Sequence, residues 1–386
     1  MPKITKVVLF LESSRQYGRD LISGIAQYSL LHGPWTFYKE DTFYCRQHSK
    51  INDFSWIKRW GADGIITRDF QEIHKLKDLG LPIIAVEAFQ EAISDIVEIV
   101  SDHKQIGVLA CDYFMSHGFH NFAYCGFQDM PWSMRRAESF ADAIGKKEYK
   151  VDIFNSKSQR LTNWDKEYPI LIDWLKSLPK PVAILCCNDD RGNDIIEACK
   201  TAGLKVPYEV AVLGVDNDQQ VCDLTNPPLS SITLSTQKAG YLAAEALDRL
   251  ISGQKVQTAN IQVKVLGVHS RQSTDSMAID DRQVAQALHY INQNDKKLIQ
   301  VSDVLEAVGC SRKGLDQKFQ RCLGHSVFAE IRRMRIQNIC NMLSNTNISI
   351  SEIALKLGYN DADHIARFFK QEKDITPMEY RKKFSI

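Results

Sequence analysis

The stretch Ile350-Ser351-Glu352-Ile353-Ala354-Leu355-Lys356-Leu357-Gly358-Tyr359-Asn360-Asp361-Ala362-Asp363-His364-Ile365-Ala366-Arg367-Phe368-Phe369-Lys370 reads as two short helices joined by a tight turn. Ser349 or Ser351 is a candidate N-cap, and Glu352 stands three residues after Ser349, the spacing of a capping box. Ile353, Ala354 and Leu357 form one apolar stripe. Gly358 supplies the left-handed residue that ends a helix. Asp361 can cap the second helix, whose buried face is Ile365, Phe368 and Phe369. The opposite face carries Asp363, His364, Arg367 and Lys370, polar groups of the kind that meet a major groove.

An earlier copy begins near Val301. Ser302 is its expected cap, Val304, Leu305 and Val308 its stripe, and Gly309 its stop. Ser311 then caps a helix anchored by Leu315 and Phe319. The two stop glycines, Gly309 and Gly358, are 49 residues apart. A long helical run, Val327–Leu343, joins the copies, and Gln283–Ile291 reads as a leading helix. Two helix-turn-helix units about 301–322 and 349–372, joined by one helix, predict an all-α seven-helix domain over 283–386.

From Asp281 onward the chain carries 17 Lys and Arg against 12 Asp and Glu, which leaves 31 against 35 before it. A mildly basic module on an acidic partner suits DNA binding, but bulk charge this small leaves affinity to geometry and pairing. The length of 386 residues predicts two or three domains. No apolar run approaches the ~20 residues of a membrane helix. The opening Met-Pro-Lys-Ile-Thr-Lys lacks the features of a signal peptide, so a cytoplasmic location is expected. Ten cysteines are scattered without C-x-x-C spacing, which predicts buried thiols, no disulfide framework and no metal site.

Before the helical module, apolar runs alternate with helical periodicity. Strands are expected at Lys6–Leu11, Trp35–Lys39, Gly64–Thr67, Ile83–Glu87, Ile96–Val100, Phe122–Phe127, Val151–Phe154, Val182–Cys187, Val210–Val215 and Ile261–Leu266. Helices fill the gaps, as at Arg19–Leu31, Gln105–Met115, Ser133–Ile144, Trp164–Leu175, Asp190–Ala202 and Gln237–Ile251. Continuous apolar strands belong to parallel sheets covered on both faces. The expected fold is therefore α/β, a doubly wound two-lobe domain over 1–270, with 271–282 as linker. No G-x-G-x-x-G, Walker or G-x-S-x-G element occurs, so nothing supports an enzyme or a bound cofactor.

Polar residues instead stand just past the strand ends: Glu12, Ser13 and Arg19; Glu87; Ser101 and Asp102; Trp132 and Arg136; Asn188, Asp189 and Arg191; Asp216 and Asn217. In open α/β sheets ligands bind there. Carboxylates, amides and Arg match sugar hydroxyls, and a Trp face stacks on a pyranose. Each such Asp or Asn has a second reading as a cap of the following helix.

These motifs resemble known families. Ile353-Ala354, Gly358-Tyr359, Phe368-Phe369-Lys370, Thr376-Pro377 and Tyr380-Arg381 resemble the AraC/XylS DNA-binding domain. Val182–Asp189, Ala211-Val212-Leu213-Gly214-Val215-Asp216-Asn217 and Pro228–Thr233 resemble the periplasmic-binding-protein-like (type I) sensor of LacI/GalR repressors. That sensor fused to a C-terminal AraC-type module resembles the bacterial xylose operon regulators, as do Arg271-Gln272-Ser273-Thr274-Asp275 and His289-Tyr290-Ile291. The resemblance implies a sugar-responsive transcription regulator, with activation favoured and D-xylose as the favoured effector. It also implies double-stranded DNA and RNA polymerase as partners, a homodimer, and effector contacts from Asn188, Asp216 and Arg136. The wider expected set is Glu12, Arg19, Glu87, Asp102, Trp132, Arg136, Asn188, Asp189 and Asp216. Leu234 departs from the resemblance, standing where these families carry Gln. On the DNA side Arg367, His364 and Gln317 are the expected base readers. Arg312, Lys313, Lys318 and Lys370 are expected at phosphates, and Asp363 can accept from a cytosine amine.

Overall fold

The computed structural model describes residues 4–39, 54–68, 73–87, 96–157, 160–256, 260–275, 281–294, 297–345, 348–359 and 361–384. The chain divides into two units, Met1–Ser276 and Met277–Ile386.

In the first unit the apolar runs pair into two six-stranded sheets, one per lobe. Lobe 1 holds β1 (Thr5–Phe10), β2 (Trp35–Lys39), β3 (Gly64–Thr67), β4 (Ile83–Val86), β5 (Val97–Ser101) and β11 (Asn260–Val263), all parallel, in the order β11-β5-β4-β3-β1-β2. Lobe 2 holds β6 (Phe122–Phe127), β7 (Val151–Ser156), β8 (Val182–Cys186), β9 (Val210–Val215), β10 (Ser230–Leu234) and β12 (Val265–His269). Its order is β12-β10-β9-β8-β6-β7, with β12 alone antiparallel. The run 261–266, expected as one strand, is thus two strands in different sheets. Lys264 between them is a crossing from one lobe to the other.

Helices cover both sheets: α1 (Gln16–His32), α2 (Ser55–Trp60), α3 (Ile73–Lys77), α4 (His103–Ser116), α5 (Pro131–Gly145), α6 (Arg160–Ser177), α7 (Asp189–Ala202), α8 (Gln219–Leu224) and α9 (Thr236–Ile251). The cores are aliphatic. Val8, Ile57, Ile65, Leu76 and Ile83 fill lobe 1, and Leu171, Leu175, Ile184, Ile195 and Val212 fill lobe 2. Each such side chain contributes about 1.5–3 kcal/mol on burial. The nine cysteines among the described residues are free. Burial pushes the Cys125 and Cys187 thiols up to about 12, which keeps them protonated and unreactive.

The chain passes between lobes at three points, β5 to α4, β10 to α9 and β11 to β12. These crossings are laced together. Asp102 N donates to Val263 O at 3.0 Å, Ser235 N to Lys264 O at 2.8 Å, and Lys264 N to Ser235 Oγ at 2.8 Å. Three side-by-side straps are the arrangement of a hinge between two lobes.

Seven helices are described in the second unit: α10 (Arg282–Gln293), α11 (Val301–Val308), α12 (Arg312–Leu323), α13 (Val327–Asn345), α14 (Ile350–Lys356), α15 (Ala362–Lys373) and α16 (Pro377–Phe384). Ser349 and Glu352 form the expected capping box, and Asp361 Oδ1 accepts from His364 N at 2.6 Å. The first copy differs in its cap. Gln300, not Ser302, caps α11 in a box with Asp303. Ser302 lies inside the first turn, where its hydroxyl cannot close the box. Gly309 and Gly358 take the left-handed conformation, at φ 68° and 76°. No described helix is long and apolar enough to cross a membrane.

Candidate effector cleft and DNA-reading surface

Lobe 2 builds one wall of the cleft from the ends of β6, β8 and β9. Pro131 opens α5 at its first position, where the missing amide costs nothing. Ser133 fixes that turn to the strand: its Oγ accepts from Phe127 N at 2.8 Å, and its carbonyl accepts from Tyr124 Oη at 2.6 Å. Trp132 and Arg136, four residues apart, then share a helix face, with the guanidinium 5.1 Å from the indole centroid. Arg136 is 3% exposed. It donates through Nη1 to the Cys187 carbonyl and through Nη2 to Asp216 Oδ1 at 3.3 Å, while Nε has no hydrogen-bond partner. Burial alone would lower its pKa, but Asp216 and Glu87 outweigh that and hold the charge. Burial raises the Asp216 carboxyl against the pull of Arg136 and Arg68.

Lobe 1 builds the facing wall. Glu87 is 4% exposed at the end of β4. Its carboxylate accepts from Ser101 N at 2.9 Å and lies 3.3 Å from His103 Nε2. Burial pushes its pKa up, yet His103, the Ser101 bond and Arg136 together bring it to about 2. Gly18 lets α1 settle on the loop after β1, because a side chain there would sit 1.6 Å from the Glu12 carbonyl oxygen. That approach places Tyr17 inside the cleft, with the Arg68 guanidinium 5.2 Å over its ring. Tyr17 Oη lies within electrostatic reach of Ser101, Glu87 and Asp216 but meets no group at hydrogen-bonding geometry.

Four buried polar atoms around this space thus have no protein partner: Tyr17 Oη, Ser101 Oγ, His103 Nδ1 and Arg136 Nε. Each costs about 1–3 kcal/mol if left unmet, so folded proteins keep few of them. Backbone strain falls at the same place. Glu87, Asp216 and Asn217 adopt positive φ of 54°, 100° and 50°, unusual for residues with a Cβ. Donors, acceptors, a fixed cation and an aromatic face around one space suit a small polyhydroxyl ligand.

Of the nine expected effector residues, Glu87, Trp132, Arg136 and Asp216 come together here. The other five are bound to protein groups. Asp102 and Asn188 cap α4 and α7, accepting from Gln105 N at 2.9 Å and Arg191 N at 3.1 Å. Asp189 is 2% exposed, and its oxygens take Ser231 Oγ and, at 2.6 Å, Asp218 N. Gly214 leaves room for that carboxylate, since a Cβ there would lie 2.1 Å from Asp189 Oδ1. Glu12 accepts from Ser14 N. Arg19 pairs with Asp218 Oδ1 at 2.8 Å, and Gln16 N donates to Asp218 Oδ2 at 2.8 Å, so these bonds clasp one lobe to the other. Tyr17, Arg68 and His103 were missed. Arg68 directly follows β3 and satisfied the strand-end rule; Tyr17 and His103 sit in the first turn of the next helix, where that rule has to be extended. Leu234, where the resemblance would place Gln, is buried at the end of β10.

In the second unit, α12 and α15 each bury two anchors, Leu315 with Phe319 and Ile365 with Phe369. Arg312, Lys313 and Gln317 on the first, and Asp363, His364, Arg367 and Lys370 on the second, are exposed. His364 packs edge-on against the Tyr359 ring at 5.5 Å, and Arg367 Nε donates to the Asp363 carbonyl at 3.3 Å. Arg332 of α13 lies over the Phe368 ring at 5.4 Å and pairs with Glu372, bracing α15. Lys318 differs from its expected role: its Nζ is 2.9 Å from Asp281, which also accepts from Gln283 N at 3.0 Å at the start of α10. Asp316 accepts from Val327 N at 3.2 Å and so serves the next helix.

Comparison with known proteins agrees with this fold. Residues 111–274 match the periplasmic binding protein-like domain, and residues 304–383 match a helix-turn-helix domain. The chain is 31% identical to the xylose operon regulatory protein of Haemophilus influenzae, over 97% of this chain and 98% of the relative. It is 28% identical to the protein of the same description from Escherichia coli, over 97% and 96%. A solved structure of the xylose-binding transcription activator xylR superposes with a TM-score of 0.83 at 27% identity, covering 100% of both chains. Full-length similarity at this identity, over both a two-lobed sensor and a tandem helix-turn-helix unit, places the chain in the family of xylose operon regulatory proteins, which are transcription regulators and not enzymes.

Proposed function

We propose that the chain binds D-xylose between the two lobes of its first unit and regulates a xylose-utilisation operon by binding DNA through its second. The observation that carries this is the cleft itself. The Arg136–Asp216 pair and Trp132 face Tyr17, Ser101, Glu87 and His103, and four buried polar atoms among them, one on Arg136 and three on Tyr17, Ser101 and His103, have no protein partner. A pentose offers hydroxyls in all directions around a ring with apolar faces. Glu87 and Asp216 would accept from hydroxyls, Arg136 Nε, Tyr17 and His103 would complete their bonds, and Trp132 would cover a ring face. Ligand held by both lobes stabilises the closed arrangement by its differential affinity for it.

On the DNA side, Gln317, His364 and Arg367 are the proposed base readers, with Arg312, Lys313 and Lys370 at phosphates. Lys318 reaches a phosphate only by leaving Asp281. A homodimer would set four recognition helices in successive major grooves and present a surface to RNA polymerase, which favours activation. A mobility-shift assay on a fragment upstream of a xylose operon, with and without D-xylose, tests the reading. D-xylose should tighten a specific complex, and absence of any shift on such fragments would overturn it. Calorimetry with a panel of pentoses and hexoses then separates D-xylose from another monosaccharide.

A further inference from the structure

We infer that Arg271 couples the effector cleft to the chain that leads into the DNA-binding unit. This rests on the effector reading of Asp216 given above and goes beyond it, assigning a transmission residue outside the cleft. Arg271-Gln272-Ser273-Thr274-Asp275, expected as the start of a linker, is instead packed into lobe 2, with Ser273 0% and Thr274 1% exposed. Residues 276–280 of the expected linker lie outside the described residues.

The segment is rooted on the two strands that end at the cleft. Ser273 Oγ donates to Val212 O of β9 at 2.6 Å and accepts from Ser230 N of β10 at 2.8 Å. Thr274 Oγ1 bonds to Ser230 Oγ at 2.7 Å and to Tyr113 Oη at 2.8 Å. Arg271 reaches further. Its Nη1 donates to Asn217 Oδ1 at 2.9 Å and to Leu229 O at 3.0 Å, and its Nε lies 3.2 Å from Asp223 of α8.

Asn217 is the middle of a three-residue turn with a different attachment on each residue. Asp216 holds Arg136 in the cleft. Asn217 is held by Arg271, at the exit of the sensing unit. Asp218 is held by Arg19 and Gln16 of the other lobe. Asp216 and Asn217 both sit at positive φ, a conformation that persists only where the surroundings impose it. A ligand that engages Asp216, or a lobe movement that loads Asp218, therefore acts on the same turn that Arg271 grips. From Arg271 the covalent chain runs directly on to the DNA-binding unit. In the proposed coupling, this turn is the element that would take two arrangements.

Arg271→Lys keeps a cation for Asp223 but loses the planar fork that serves Asn217 and Leu229 together. Arg271→Gln removes the charge and keeps a donor. The full chain, wild type and both variants, is titrated with D-xylose by calorimetry and with the upstream DNA fragment with and without D-xylose. In the variants D-xylose affinity should stay within about twofold of wild type, while the D-xylose gain in DNA affinity falls from the usual allosteric range of about 5–150-fold to within about twofold. Variants that keep the wild-type gain overturn the proposal. So do variants whose gain falls only in step with their sugar affinity, because Arg271 would then merely support the cleft. A wild-type chain with no D-xylose gain overturns the effector reading itself, and that arm reports it separately from any variant.

Discussion

In lobe 2 the head of Arg136 is held from three sides, by Asp216, the Cys187 carbonyl and Trp132. Across the cleft, Tyr17, Ser101 and His103 each present a buried polar atom that no protein group meets. The first wall is already tied together by protein groups. The second leaves those atoms open. In the proposed site that asymmetry would put sugar recognition on a fixed cation and ring, and would give closure a driving force, because lobe 1 would satisfy its donors against the ligand. The Arg19–Asp218 clasp adds a contact between lobes that needs no ligand at all.

The largest break in this contrast is Arg136→Ala. It leaves Asp216, 19% exposed, without its main cation and should cost about 3 kcal/mol of stability, along with D-xylose binding. Urea unfolding and calorimetry on one preparation check both. Acid acts next, through Glu87. Its folded pKa of about 2 lies below the ordinary value of 4.5, so its contribution is present above pH 4.5 and is lost as pH falls towards 2. The amount is on the order of 3 kcal/mol. The stability difference between wild type and Glu87→Gln should shrink over that window. Tyr17→Phe sharpens the contrast: the hydroxyl has no protein partner, so stability should hold or rise slightly, whereas D-xylose affinity should fall by about tenfold, the worth of roughly one hydrogen bond. The smallest effect is expected from Arg19→Ala. Its ion pair is 29% exposed on the Arg side and 4% on the Asp218 side; Asp218 keeps the Gln16 and Gln220 amides, so the loss should be about 1 kcal/mol, seen as a small fall in the urea midpoint.

The tandem helix-turn-helix unit was legible because its signals are local. Caps at Ser311, Ser349 and Asp361 and stops at Gly309 and Gly358 stand within a few residues of the helices they bound. Only Ser302 misled, since Gln300 two residues earlier closes the box with Asp303. The parallel strands were legible for the same reason. The split of 261–266 was not, because Lys264 carries no turn signature and its meaning lies in which sheet each side joins. In the cleft, Trp132 and Arg136 were readable from their spacing on one helix, and Asp216 from its strand end. Which Asp past a strand caps a helix shows only in the geometry: Asp102 Oδ1 takes the Gln105 amide, Asp189 takes Asp218 N and Ser231 Oγ, and Asp216 pairs across to Arg136. Tyr17 reaches the cleft because Gly18 lets a helix sit on a loop, a tertiary contact with no local trace.

Calorimetric titration of the full chain with D-xylose, beside Arg136→Ala and Asp216→Ala, tests the central claim most directly. The account predicts saturable stoichiometric binding by the wild type and none by either variant that remains folded. Folded variants that bind D-xylose as the wild type does, or a wild type that gives no heat with it, would contradict the account.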